Sequence, residues 1–316
     1  MIDKLKNKVI IAPMAGVTDR AFREVAELFG AGLVFTEMIS AKGLYYGDKK
    51  TKSLFDKGNL KIPLCAQIFG HEPDIISKVA GYAVSCGASC LDINSGCPAP
   101  KITKSSDGAA LMKNPLLFEE VLYSAVKNAN CPVSVKIRAG WNRESVNAVQ
   151  LAKIAEKCGV CMITVHGRTA ADYYKGKADW SIIKDVVSSV NIPVVGNGDI
   201  FNAQNAKEML EQTGCAAVML GRATLGNPWL IRDTVLLLDE NKLPKPPSVE
   251  EKIKLALFHI SLIIKYKGEY IGVRQARKHA LWYIKGLKES ARVKNLISKA
   301  NSYEEIEKHL TCLNEF

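Results

Sequence analysis

Two hydrophobic patterns alternate along this chain. Short apolar runs rich in β-branched residues recur every few tens of residues, at 9–13, 33–37, 63–68, 90–94, 133–137, 162–165, 193–196 and 217–220. Between them lie stretches that are apolar at helical intervals, such as 73–80 and 148–157. The first pattern predicts strands and the second amphipathic helices. Eight such alternations in about 230 residues predict an α/β fold, a parallel (β/α)8 TIM barrel, because parallel strands need crossover helices to connect them. A doubly wound open sheet is the alternative. It would usually show fewer strands, and a dinucleotide binder would carry GxGxxG after the first. Here the first strand runs into Ala12-Pro13-Met14-Ala15-Gly16 instead.

The barrel pattern stops at Leu243-Pro244-Lys245-Pro246-Pro247-Ser248, where three prolines in four positions cannot continue a helix. Ser248 and Glu251 then have the spacing of a capping box, opening a helix with Ile253, Leu257, Ile260 and Ile264 on one face. Ser302 and Glu305 repeat that spacing. The expected organisation is a barrel over residues 1–243 and a small C-terminal helical domain of about four helices over 249–316.

Composition narrows the class. The 316 residues are 47% hydrophobic and 24% charged, ordinary for a globular protein. No apolar run approaches the roughly 18–20 residues of a membrane span, so no membrane partner is expected. Residues 1–6 lead almost directly into strand-like sequence, which leaves no room for a signal peptide and predicts a cytoplasmic protein. The nine cysteines do not form a disulfide framework. Cys158 with Cys161 and Cys86 with Cys90 lack a second ligand pair at zinc-finger spacing, so core packing is favoured and no metal is expected. Net charge is +11, and residues 241–316 carry 15 Lys and Arg against 8 Asp and Glu, or +7 of it. A basic excess so placed favours a polyanionic partner.

In such a barrel the active site lies at the C-terminal ends of the strands. Read in order, those ends are Pro13-Met14-Ala15, Glu37, Gln67, Asn94 with Cys97, Lys136 with Arg138, His166, Asn197-Gly198-Asp199 and Gly221-Arg222. The glycine-containing ends after the seventh and eighth strands fall where barrels commonly bind phosphate. Gln67 and Lys136 have donors suited to a flavin's pyrimidine edge. Taken singly, Lys136 could be a barrel salt bridge and His166 a hydrogen-bonded core histidine. Polar residues at nearly every strand end argue for a site. Within Leu91-Asp92-Ile93-Asn94-Ser95-Gly96-Cys97-Pro98, a strand ends in a turn that presents one cysteine between Gly and Pro, a setting suited to a pocket rim.

These motifs, with Val135-Lys136-Ile137-Arg138, Val165-His166-Gly167-Arg168-Thr169, Val195-Gly196-Asn197-Gly198-Asp199-Ile200 and, in the tail, Arg277-Lys278-His279 before Trp282-Tyr283, resemble the tRNA-dihydrouridine synthase family, especially its bacterial B-type members. The resemblance implies an FMN enzyme, reduced by NADPH or NADH, that saturates the C5–C6 bond of selected tRNA uridines. It implies hydride from flavin N5 to C6 and a proton from Cys97 to C5. It places Pro13, Met14, Ala15, Gln67, Lys136, His166, Asn197, Gly198, Asp199, Gly221 and Arg222 around FMN, and Asn94, Lys101 and Arg138 at the uridine or its backbone. Arg274, Arg277 and Lys278 would then grip sugar-phosphate; no protein partner is implied. One departure is Asp172, where the family often carries Gln. A flavin barrel acting on a free pyrimidine would leave the basic tail unexplained. An RNA binder without catalysis would leave Cys97 unexplained.

Overall fold

The computed structural model describes residue 2 and residues 5–315. Its strands are β1 (Val9–Ile11), β2 (Val34–Phe35), β3 (Ile39–Ser40), β4 (Leu64–Phe69), β5 (Cys90–Ser95), β6 (Val133–Arg138), β7 (Met162–His166), β8 (Val194–Asn197) and β9 (Ala217–Leu220). All pair in parallel, in the order β1-β9-β8-β7-β6-β5-β4-β2. A parallel bridge between Ile10 and Leu33 joins β1 to the second strand position and closes the barrel. The fold is the expected TIM barrel.

One strand differs from the sequence reading. The second barrel position is two pieces, β2 and β3, both paired to β4. Between them the Thr36 N–H still donates to the Cys65 carbonyl at 3.0 Å, but the Thr36 hydroxyl accepts the Gln67 N–H at 3.0 Å and the chain leaves the ladder at Glu37-Met38. The polar interruption hid β3 from the hydrophobic pattern. It also brings Glu37 and Met38 to the rim.

The barrel helices are α1 (Arg20–Leu28), α2 (Ala41–Tyr45), α3 (Lys49–Ser53), α4 (Pro73–Val79), α5 (Tyr82–Ser85), α6 (Pro100–Thr103), α7 (Pro115–Asn128), α8 (Ala148–Lys157), α9 (Trp180–Ser189), α10 (Ala203–Thr213) and α11 (Trp229–Glu240). They cover the outward strand residues in one large apolar core. Inside, alternate residues share a face, and that series turns from apolar to polar along each strand. Cys65 precedes Gln67, Cys90 precedes Asp92 and Asn94, Met162 precedes Thr164 and His166, and Val195 precedes Asn197. The barrel therefore has an apolar packed interior and a polar upper end.

Four helices follow: α12 (Val249–Lys267), α13 (Glu269–Tyr283), α14 (Ser290–Ile297) and α15 (Tyr303–Thr311). Ser248 and Glu251 form the expected reciprocal cap. Ser302 accepts from the Glu305 N–H, but the Glu305 carboxylate reaches the Asn301 N–H instead of completing a box. Ile253, Ile260, Val273, Ala276, Ile306 and Leu310 build a second core, which closes on Ala21 of α1 and Trp229 of α11. At this junction Gly226, with φ +65°, approaches α13 so closely that an added Cβ would lie 2.3 Å from the Trp282 carbonyl carbon. No described helix is long and apolar enough to cross a membrane.

Candidate active site

A cavity of about 440 Å3 opens at the C-terminal ends of the strands, within the size range of roughly 300–1,000 Å3 for cofactor sites. Pro13, Met14, Ala15, Asn94, Cys97, Lys136, Arg138, His166, Asn197, Gly198, Asp199, Gly221 and Arg222 all line it. Thirteen residues expected at the site thus converge from six strand ends. Gln67 and Lys101 do not line it.

Beneath the cavity runs a hydrogen-bonded chain anchored by a buried carboxylate. Asp92 accepts from Ser134 Oγ at 2.6 Å and from Gln67 Nε2 at 2.8 Å. Gln67 Oε1 accepts from Asn94 Nδ2 at 2.8 Å, and Asn94 Oδ1 accepts the N–H groups of Gly96 at 3.1 Å and Cys97 at 2.9 Å. Burial pushes the Asp92 carboxyl up to about 6, while these donors favour its charged form. Gln67, expected to face the flavin, is fully buried with both ends of its amide engaged. It links Asp92 to Asn94, and Asn94 sets the cysteine turn.

That turn is pinned from three sides. Besides Asn94 below, Arg138 Nε donates to the Gly96 carbonyl at 2.8 Å, and the Cys97 carbonyl accepts the Ala109 N–H at 3.0 Å. Arg138 Nη1 donates to the carbonyls of Thr169 and Tyr173. Only Nη2 of this guanidinium has no partner among the described residues, which narrows the expected substrate contact to one nitrogen. Burial pushes the Cys97 thiol up against the opposing pull of Arg138 and Lys136, so the sulfur keeps its proton at neutral pH.

The lining is also cationic. Lys136 Nζ donates to Asn197 Oδ1 at 3.0 Å, and Asn197 Nδ2 donates to the Met219 carbonyl at 2.8 Å. Burial first, then Arg138, brings the Lys136 ammonium down to about 7. His166 is held well below its ordinary value by burial and by Lys136, Arg138, Arg168 and Arg222, and is neutral. Gly198 with φ +118° and Asp199 with φ +55° form a left-handed turn. Their N–H groups have no protein partner among the described residues, an arrangement that suits an anion. The Asp199 carboxylate is neutralised: Arg168 Nη2 lies 2.7 Å from Oδ1, and the Ala178 N–H donates to Oδ2 at 2.7 Å. The Asp199 side chain is thus engaged within the protein, and its backbone N–H is the group left open.

A buried Lys of depressed basicity gives a testable pH signature. Between about pH 7 and 10 the folded state releases the Lys136 proton while the unfolded chain keeps it, so stability rises with pH. Urea denaturation of flavin-free protein should show that rise, and Lys136→Met should flatten it. A bound anion would restore the charge and flatten it likewise.

The sequence reading missed several lining residues. Tyr174 stacks against Arg222, whose guanidinium carbon is 4.0 Å from the ring centroid, and lies 5.4 Å from that of Arg138. Met38 and Phe201 also line the cavity. The one available signal was the adjacent pair Tyr173-Tyr174 shortly after β7.

The tail residues separate. Arg274 is exposed, stacked 3.6 Å from the Tyr270 ring centroid. Arg277 instead ties α13 to the turn before α15, through the Ala300 carbonyl at 2.8 Å and Asn301 Oδ1 at 3.2 Å. Lys278 Nζ donates to the Gly16 carbonyl, and the Gly16 N–H donates to Glu37 Oε2. Lys267 likewise contacts Asp19. The expected basic trio is thus not one open face: Arg274 donates to the Tyr270 carbonyl of its own helix at 2.9 Å, while Arg277 and Lys278 reach carbonyls of other segments. Asp172 accepts from Thr169 Oγ1 at 2.8 Å and lies 3.4 Å from Arg143.

A family model described as dihydrouridine synthase matches residues 10–316. The chain belongs to the dihydrouridine synthase family. It is 40% identical to tRNA-dihydrouridine synthase B of Pasteurella multocida over 90% of this chain and 86% of that one. A probable tRNA-dihydrouridine synthase of Rickettsia bellii is 41% identical, over 94% and 92%. The B-type enzyme of Vibrio vulnificus is 41% identical, over 89% and 88%. Membership in the dihydrouridine synthase family makes this an oxidoreductase of the B-type group. Solved structures share the fold at low identity: the old yellow enzyme homologue of Zymomonas mobilis at TM-score 0.53 and 16% identity, over 78% of this chain and 92% of that one. Histamine dehydrogenase of Rhizobium sp. 4-9 matches at TM-score 0.57 and 11% identity, over 87% and 49%.

Proposed function

We propose that this protein is an FMN-dependent tRNA-dihydrouridine synthase that reduces the C5–C6 bond of particular uridines. The observation that carries the reading is a cysteine, Cys97, whose thiol burial pushes up, held at the rim of a cavity whose wall also offers Lys136, Arg222 and two amides unpaired among the described residues. That wall fits FMN: the Gly198 and Asp199 amides and Arg222 suit its phosphate, and Lys136 suits the pyrimidine edge where reduction builds negative charge. When bound, FMN recharged by NADPH or NADH supplies a hydride for uracil C6. Cys97 supplies the proton to C5, and the thiolate left behind is stabilised by Arg138 and Lys136 until solvent reprotonates it. The unpartnered Arg138 nitrogen would orient the base, beside Asn94, whose amide is held by Gln67 and the cysteine turn. A uridine in folded tRNA must leave its stack to reach this cavity. Exposed Lys101 on α6, just past the cysteine turn, and Arg274 on α13 suit the flanking phosphates.

Purified protein should be yellow, release FMN on denaturation, and be reoxidised by tRNA with appearance of dihydrouridine by mass analysis. Colourless protein that takes up no FMN, or reduced protein that tRNA does not reoxidise, would count against the reading. The tail makes a separate prediction. Arg274→Ala should lower the log–log salt slope of tRNA binding by about one unit. Arg277→Ala should lower thermal stability, since its contacts are internal.

A further inference from the structure

We propose a second RNA-docking surface, on the barrel itself, centred on the exposed ring of Tyr46. It rests on the tRNA reading above and adds where the nucleic acid is held beyond the target base. Helix α2 begins where β3 ends, and β3 pairs with the last residues of β4, so α2 stands on the rim that carries the cavity. Two residues before its Ser40 cap, Met38 lines that cavity. At the other end of α2, Tyr45 is 42% and Tyr46 72% exposed, their rings edge to face with centroids 5.1 Å apart. Lys78 of α4 lies 4.9 Å from the Tyr45 centroid and braces it. Tyr46 has Tyr45 as its one ring contact among the described residues. The turn beyond it is open: a Cβ built on Gly47 meets nothing within 4 Å.

The charge around these rings is positive and available. Lys49 and Lys50 open α3, are exposed, and form no ion pair among the described residues. The nearby carboxylates are engaged. Asp48 caps α3 by accepting the N–H groups of Lys50 and Thr51. Glu72 is paired with Lys42 at 3.1 Å, and Asp107 with His71 at 2.8 Å. Asp74 is the exposed acidic residue of α4. The Lys42–Glu72–His71–Asp107 series leads to Gly108-Ala109, whose Ala109 N–H holds the Cys97 carbonyl. That series links α2, through Lys42, to the cysteine turn. An exposed aromatic face beside free lysines is the combination that binds unpaired bases together with their phosphates. An acidic peptide would need the lysines but not the ring. The occupant is thus a splayed nucleotide of the tRNA flanking the reduced uridine.

The two components have different signatures. With FMN-loaded protein and an unmodified tRNA transcript, Tyr46→Ala should weaken binding about 5- to 150-fold and leave the salt slope unchanged, because stacking releases no counterions. Tyr46→Phe should bind like the parent. Lys49→Ala with Lys50→Ala should lower the slope by about two units. FMN content and nicotinamide oxidation should stay at parental values in every variant. Parental affinity of Tyr46→Ala, in a preparation where the transcript reoxidises the parent, would overturn this surface and leave the catalytic reading standing. If the parent neither binds the transcript nor is reoxidised by it, both fall together.

Discussion

Replacing Cys97 with alanine should leave the protein yellow and its flavin fully reducible, yet slow reoxidation by tRNA about 10²–10⁴-fold, the range for loss of a positioned proton donor. Burial raises the thiol above its ordinary value although two cations pull it down. The raised value keeps the acid form present at neutral pH and beyond. The parent single-turnover rate should therefore hold steady through neutral pH and decline only above the ordinary thiol range. Cys97→Ser should be slow as well, since a hydroxyl is a far weaker acid than a thiol. Asn94→Ala should fall between, because the thiol remains while the turn that aims it loses the acceptor for two N–H groups. A parental single-turnover rate in Cys97→Ala would remove this residue from the chemistry.

A second large effect is expected far from the cavity. Gly226→Ala should destabilise the protein by about 3 kcal/mol, combining a strained left-handed alanine with displacement of a helix backbone. For a chain of this size that is a fall in melting temperature of about 4–5 °C. The Cβ would sit 2.3 Å from the Trp282 carbonyl carbon, and main chain cannot rotate aside as a side chain could. Gly47→Ala is the control. At φ +78° it carries similar conformational strain, but its Cβ meets nothing within 4 Å, so about 1 kcal/mol is expected. Thermal unfolding of both variants at equal flavin content measures the difference. Equal falls would mean that close approach of α13 to the barrel contributes nothing.

Much of this architecture was legible in the chain because it is local. Strand positions and the residues at their C-terminal ends follow from a period of two within a few residues, and so does the turn at Gly96-Cys97-Pro98. What escaped depends on partners distant in sequence. Gln67 reads as an open amide until Asp92 and Asn94 arrive from the next strand and occupy both its ends. Lys278 reads as a phosphate ligand until folding sets it beside the Gly16 carbonyl, 262 residues away. Arg277 differs in the same way, its partners lying on the turn after α14. Tyr174 escaped because aromatics in a loop have no periodic context, and only the converging Arg138 and Arg222 give it one. The interrupted second strand escaped because Thr36 replaces a backbone acceptor with a side-chain oxygen, which no hydrophobic pattern records.

The grip of the tail on the loop after β1 bears on how such chains can be recombined. Lys278 and Lys267 hold Gly16 and Asp19, at the far end of the same short loop that contributes Met14 and Ala15 to the cavity. A chimera joined at the proline-rich stretch would separate these partners even if both halves folded. Exchanging tails between relatives to redirect their choice of RNA therefore requires carrying Gly16, Asp19 and Glu37 along with the helices. The joint most visible in the primary structure is the wrong place to cut.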